Sequence, residues 1–285
     1  MPELKIVLGP TAVGKTDYSI ELAHHYGCPI VNCDSRQIFK EMTIGTAVPS
    51  ETQLSQVKHY FIHSHSVKDY YTAGLYEVEA LALLDTLFKT YDTVVMTGGS
   101  GLYIDALCNG LDDFPAADQN VRKSLMQRLE RDGIESLQMQ LKSLDPESFN
   151  SIELSNSQRV VRALEVTIAT GRKFSDYKTN PAKKRNFEIV KTGLTRPREA
   201  LYERIDKRVD MMIEAGLAEE VRSLYEYKDM PALKTVGYRE MFDYFDGKYD
   251  LDEAVRLIKR NTRHYAKRQL TYWNRDKEIN WITLE

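Results

Sequence analysis

Gly9-Pro10-Thr11-Ala12-Val13-Gly14-Lys15-Thr16 matches the pattern G-x-x-x-x-G-K-[ST], and the residues on either side place it where that pattern has physical meaning. Leu4-Lys5-Ile6-Val7-Leu8 before it reads as a short buried strand. After it, Thr16 to Tyr26 carries apolar residues at Tyr18, Ile20, Leu22 and Ala23, with Gly27 in the position of a helix C-cap. A strand, a glycine-rich turn and a helix in that order aim backbone N–H groups and a helix N-terminus at one point, where an anion fits. Lys15 would reach phosphate oxygens and Thr16 would hold Mg²⁺. The pattern announces a polyphosphate without saying whose. It predicts an α/β fold: a three-layer P-loop core with a parallel sheet.

The rest of the chain bounds what that core can be. At 285 residues and 42% hydrophobic composition there is material for a core of about 150 to 200 residues plus a smaller module. No run of about 18 apolar residues occurs, and Met1-Pro2 leads directly into the first strand, so a cytoplasmic protein without a membrane span is expected. Cys28, Cys33 and Cys108 are odd in number and lack C-x-x-C spacing, which argues against a disulfide framework or a zinc site. The formal net charge of −3 conceals two basic stretches. Residues 158–185 carry eight Lys/Arg against Glu165 and Asp176, and residues 256–277 carry eight against Asp276. Such stretches in an otherwise acidic chain are either solvated helix faces or a local footprint for a large polyanion.

Along the chain, Pro29-Ile30-Val31-Asn32-Cys33 reads as a second strand ending in Asp34-Ser35-Arg36-Gln37, on the rim where ligands of open α/β sheets bind. Asp34 there has two readings: a carboxylate that takes a proton from a nucleophile, or the cap of a turn. His59, His63 and His65 stand close together, but with Tyr60, Phe61 and Ile62 between them they suit packing better than a metal. The helix from Ala73 to Tyr91 presents Leu75, Val78, Leu81, Leu84, Leu87 and Phe88 as a core face.

The strand Asp92–Thr97 runs into Gly98-Gly99-Ser100-Gly101, where many P-loop hydrolases have an acidic magnesium ligand. Three glycines there serve either a bend or the close approach of a substrate. Residues 112–184 contain no convincing strand and three helices, Val121–Arg131, Ile134–Leu144 and Ser155–Thr170; they read as a helical insertion domain in a core made of residues 1–111 and 185–285. A strand returns at Phe187–Leu194. In the helix that follows, Arg204 and Arg208 share one face, to clamp a pyrophosphate or to pair with Glu203, Asp206 and Asp210. Arg256, Arg260, Arg263 and Lys267, interleaved with Tyr265, Tyr272 and Trp273, suit a phosphate backbone and unstacked bases, and Ile279–Leu284 reads as a closing strand.

Taken in order, Gly9–Thr16, Asp34-Ser35-Arg36-Gln37, Ile44-Gly45-Thr46-Ala47, Gly98–Ile104, Gln158–Val166, Arg204–Met212, Gly237-Tyr238-Arg239-Glu240 and Thr262–Gln269 resemble the bacterial tRNA dimethylallyltransferases, also called tRNA isopentenyltransferases. The resemblance implies transfer of the dimethylallyl group of dimethylallyl diphosphate to N6 of the adenosine immediately 3′ of the anticodon, position 37. It implies that Gly9, Pro10, Thr11, Ala12, Val13, Gly14, Lys15 and Thr16 cradle the diphosphate with Mg²⁺, held at Thr16, and that Arg208 offsets the charge of the departing pyrophosphate. Asp34 would be the general base. Contacts to tRNA would come from Asp34, Ser35, Arg36, Gln37 and Ser100, and in the insertion from Arg122, Gln158, Arg159, Val160, Val161 and Arg162. The expected enzyme is a monomer with a channel entered by the two substrates from opposite mouths. Ser100 stands where the family usually has threonine, and Thr271-Tyr272-Trp273-Asn274 replaces a commoner Thr-Trp-Phe-Arg. A nucleoside kinase using ATP explains the first hundred residues but not the basic insertion. A prenyltransferase for free adenine nucleotides would not need that insertion either.

Overall fold

Leu4, Ile6, Val7 and Leu8 are shielded from solvent because their strand runs through the interior of a sheet covered on both faces, which is why the stretch is apolar apart from Lys5. The computed structural model describes residues 1–115, 118–178 and 183–285. Its elements in chain order are β1 (Glu3–Leu8), α1 (Lys15–Tyr26), β2 (Ile30–Asn32), α2 (Glu51–Leu54), β3 (His59–Tyr60), α3 (Ala73–Leu87), β4 (Thr93–Gly98), α4 (Gly101–Asn109), α5 (Gln119–Leu144), α6 (Pro146–Ser151), α7 (Ser157–Thr170), β5 (Glu188–Thr195), α8 (Arg198–Glu214), α9 (Leu217–Ser223), α10 (Tyr238–Phe245), α11 (Leu251–Trp273) and β6 (Asn280–Thr283).

The six strands form one sheet in the order β3-β2-β4-β1-β5-β6, and every neighbouring pair is parallel. Parallel strands need crossovers, and the helices supply them. The order sets the carboxyl ends of β2, β4 and β1 side by side. From those three ends emerge Asp34–Gln37, the glycine turn and the P-loop, on the edge of the sheet where ligands bind. No helix among the described residues is long and apolar enough to cross a membrane.

The chain divides into two compact units, Met1–Cys108 with Lys184–Glu285, and Asn109–Lys183. The sequence puts these boundaries at 112 and 184. In the second unit, Leu125, Leu137 and Leu141 of α5 meet Val160, Val161, Ala163 and Leu164 of α7 in a core of its own. The break between the two expected helices at 121–144 is Gly133, with φ 78° and ψ 177°. Gly171 ends α7 in the left-handed region.

Three details differ from the sequence reading. The edge strand β3 is only two residues long, too short for any periodicity to reveal. A short helix, α6, starts at Pro146 and is capped by the Asp145 carboxylate, which accepts from the Ser148 amide. In α3 the buried stripe is Ala73, Tyr76, Glu77, Ala80, Leu84 and Leu87, while Leu75 and Val78 are 43% and 67% exposed. That helix is apolar nearly all round, so the pattern defines no single face.

Candidate active site

The Gly9–Thr16 loop joins β1 to α1. Gly14 takes φ 114° as the N-cap of α1, and at Gly9, with φ 150°, a Cβ would lie 2.6 Å from the Leu194 carbonyl oxygen. Thr11, Ala12, Gly14, Lys15 and Thr16 line a cavity of about 790 Å³; Gly9, Pro10 and Val13 do not. Val13 is packed in the core. Gly9 and Pro10 instead present carbonyls to Lys15, whose Nζ donates to both at 2.9 Å. Burial, and then the nearby Arg208 guanidinium, push the Lys15 ammonium down to about 8, with Asp34 and Cys33 opposing the shift.

The two carboxylate oxygens of Asp34 are differently placed. Its Oδ1 accepts from the amides of Arg36 at 2.8 Å and Gln37 at 3.3 Å, forming the turn. Its Oδ2 has no hydrogen-bond partner among the described residues, and Asp34 lines the cavity together with Lys15, Thr16 and Arg208. The loop is pinned on both sides. Ser100 Oγ accepts from the Ser35 amide at 2.8 Å and donates to Ser35 Oγ at 2.9 Å. Gln37 Nε2 donates to the carbonyls of Thr46 and Ala47, and Arg36 reaches the Pro231 carbonyl. The Ser100 hydroxyl thus ties two loops together, and that role needs no methyl group.

Among the described residues, Arg204 and Arg208 form no ion pair with the acidic side chains of their own helix. Arg204 donates through Nε to the Ala12 carbonyl of the P-loop at 2.9 Å. Arg208 lines the cavity and is pushed down by burial and by Arg204, with Asp17 opposing. Asp206 and Asp210 instead bind Arg263 and Lys259 of α11, fixing the two helices to each other. Two anchors escape sequence reading. Glu220 on α9 accepts from three successive amides, Thr43, Ile44 and Gly45, and from the Tyr238 hydroxyl, so it holds the Ile44–Ala47 loop against the cavity. Gln269 on α11 accepts from the Thr11 amide at 2.9 Å and donates to the Gly99 carbonyl at 2.8 Å. Each joins residues more than 160 positions apart, a separation no local pattern reports.

The glycine turn serves close packing by the protein itself. A Cβ on Gly98 would sit 2.6 Å from the Cys33 carbonyl carbon, one on Gly99 2.5 Å from Gln269 Nε2, and one on Gly101 2.3 Å from Tyr272 Cε1. A second cavity of about 290 Å³ lies beside the first, lined by Ser100, Tyr103, Arg268, Tyr272 and Trp273 among others. Ser35, Gly99, Tyr265 and Gln269 line both cavities, so they form the partition between them.

In the second unit, Arg122 and Arg162 grip the two oxygens of the buried Glu165 at 2.9 and 2.8 Å, and Arg122 also donates to Gln158. Arg159 pairs with Glu153 on the surface. The side chains of Val160 and Val161 are fully buried in that unit's core. In α11, Arg256 pairs with Glu253, and Trp273 is buried rather than displayed. The basic stretches are therefore partly neutralised by internal carboxylates. Among the described residues no three His, Cys, Asp or Glu side chains gather as a metal cage, and His59, His63 and His65 each bond a different neighbour.

The IPP transferase family model matches residues 37–276. A tRNA dimethylallyltransferase 2 of Azobacteroides pseudotrichonymphae genomovar. CFP2 is 50% identical over 282 residues, covering 99% of this chain and 92% of that protein. A tRNA dimethylallyltransferase 2 of Porphyromonas gingivalis is 50% identical over 279 residues, covering 98% and 93%. The crystal structure of the full-length tRNA isopentenylpyrophosphate transferase from Bacillus halodurans superposes with a TM-score of 0.73 at 32% identity, covering 99% of this chain and 90% of that one. A eukaryotic dimethylallyltransferase crystallised acting on tRNA reaches a TM-score of 0.82 at 23% identity, a likeness of fold, covering 99% and 74%.

Proposed function

Because this chain belongs to the IPP transferase family, the tRNA dimethylallyltransferases, we propose that it moves the dimethylallyl group of dimethylallyl diphosphate onto N6 of adenosine 37 in tRNA and releases diphosphate. The observation that carries this reading is the meeting of a free carboxylate oxygen, Asp34 Oδ2, with Lys15, Thr16 and Arg208 around one cavity. The cationic end takes the diphosphate and the carboxylate takes the amine.

An exocyclic adenine amine is a poor nucleophile, since its lone pair is delocalised into the ring, so orientation and proton removal both contribute. The N6–C1 bond forms as C1–O breaks, the N6 proton passes to Asp34, and the electron pair leaves with the diphosphate. Lys15 and Arg208 face the oxygens on which that charge grows. The Thr16 hydroxyl fits Mg²⁺, which takes few protein ligands and completes its shell with substrate phosphates and water; when bound, the ion supplies further charge neutralisation. Arg122, Gln158, Arg159 and Arg162 are the insertion's candidates for the anticodon arm, with Glu165 holding the first and last of these guanidinium groups in place. The adenosine reaches Asp34 by leaving its stack, past Ser35, Arg36, Gln37 and Ser100.

Radiolabelled dimethylallyl diphosphate offered with Mg²⁺ to an anticodon stem-loop and to free AMP tests the reading. Label in the stem-loop alone is expected. Label in AMP would move the activity to free nucleotides, and phosphate transfer from ATP without prenylation would make the protein a kinase.

A further inference from the structure

Gln269 is a buried polar side chain, 6% exposed, in a wall between two cavities. Its carboxamide orientation is dictated by its partners: Thr11 offers only an N–H and Gly99 only a carbonyl. One end is thereby fixed to the first P-loop residue that lines the main cavity. The other is fixed to the turn over which Asp34 lies, since a Cβ on Gly99 would be 2.5 Å from Gln269 Nε2 and 3.7 Å from Asp34 Oδ2. The helix that carries Gln269 is itself clamped, through Lys259–Asp210 and Arg263–Asp206 to α8, which bears Arg208, and through Asn261 to Glu240. Gln269 therefore spans the gap between the diphosphate side of the site and the amine side, on a rigid support.

We infer that Gln269 is a positioning residue for the transfer: its carboxamide sets the separation between the P-loop and the Asp34 loop, and so holds the allylic carbon and the amine at reacting distance. The inference rests on the prenyl-transfer reading above. A displacement of about 1 Å between reacting groups costs on the order of 10²-fold in rate, so a tie of two hydrogen bonds across the site has leverage on the chemical step. It has little on either binding step, because the cations that hold the diphosphate and the loops that hold the base remain.

The test uses Gln269→Met, which fills the wall without either hydrogen bond, and Gln269→Glu, whose carboxylate accepts from Thr11 but cannot donate to Gly99. Single-turnover prenylation of a stem-loop is measured beside the separate affinities for dimethylallyl diphosphate and stem-loop, and the thermal midpoint. The expected result for both variants is a rate lower by about 10- to 100-fold, with each affinity within about threefold of the parent and a midpoint lower by a few degrees at most, since two buried polar groups lose a partner. A rate within threefold of the parent in both variants overturns the inference. So does a rate lost only in step with the midpoint and both affinities, because that is a structural defect. If the parent protein itself labels no stem-loop, the prenyl-transfer reading fails first and the inference falls with it.

Discussion

Replacing Asp34 by asparagine separates its place in the turn from its proposed role as general base, because the two oxygens are differently placed. The Oδ1 that accepts from the Arg36 and Gln37 amides survives in asparagine as a carbonyl, so the turn should persist. The Oδ2 that faces the cavity becomes an amide nitrogen, which cannot take a proton from N6. Removal of a general base costs about 10²–10⁴-fold in rate, so Asp34→Asn should lose that much in a rapid-quench single-turnover assay at saturating enzyme. Asp34→Ala loses the turn as well. Unmaking such a cap costs about 0.5–2 kcal/mol, which at ~2–4 °C per kcal/mol lowers the thermal midpoint by a few degrees relative to Asp34→Asn. A single-turnover rate for Asp34→Asn within threefold of the parent would refute the assignment of the base. Equal midpoints for the two variants would refute the account of the turn.

Other consequences are open to measurement. Lys15 has a folded-state pKa lowered to about 8, so its charge is lost as pH rises through that value. Affinity for dimethylallyl diphosphate should then fall by roughly tenfold per pH unit above 8, with proton uptake on binding; calorimetry in buffers of differing ionisation enthalpy that finds no proton uptake at pH 9 would exclude this. By the same linkage, a cation with a depressed pKa gains stability for the fold between about pH 8 and its unfolded value. Gly98→Ala would press a methyl group to 2.6 Å from the Cys33 carbonyl carbon and should destabilise the chain by about 1–3 kcal/mol in denaturant titrations; an unchanged midpoint would mean the turn relaxes freely. Raising salt should weaken stem-loop binding through counterion release, and a flat response would reduce the basic stretches to solvated surface.

What the sequence determined by itself was local in origin. The apolar run at 4–8, the glycines at 9 and 14 and the helical pattern after Thr16 sit within 25 residues, and each expresses a backbone or burial requirement that neighbouring residues satisfy together. The same holds for the helices of the insertion, whose break at Gly133 and stop at Gly171 lie where the helical pattern meets a glycine. Position alone put Asp34 on the rim but could not say that its oxygens are differently placed. The tertiary structure decided which long-range partner each polar group found. Gln269 meets Thr11 and Gly99, Glu220 meets the amides of 43–45, and Arg122 and Arg162 meet Glu165 instead of facing solvent alone. Periodicity records that a residue is buried or exposed, but a hydrogen bond needs a partner in three dimensions, and its address is absent from the spacing. The exposed Leu75 and Val78 carry the same lesson for apolar groups: on a helix hydrophobic all round, only the packing against the sheet chooses the face.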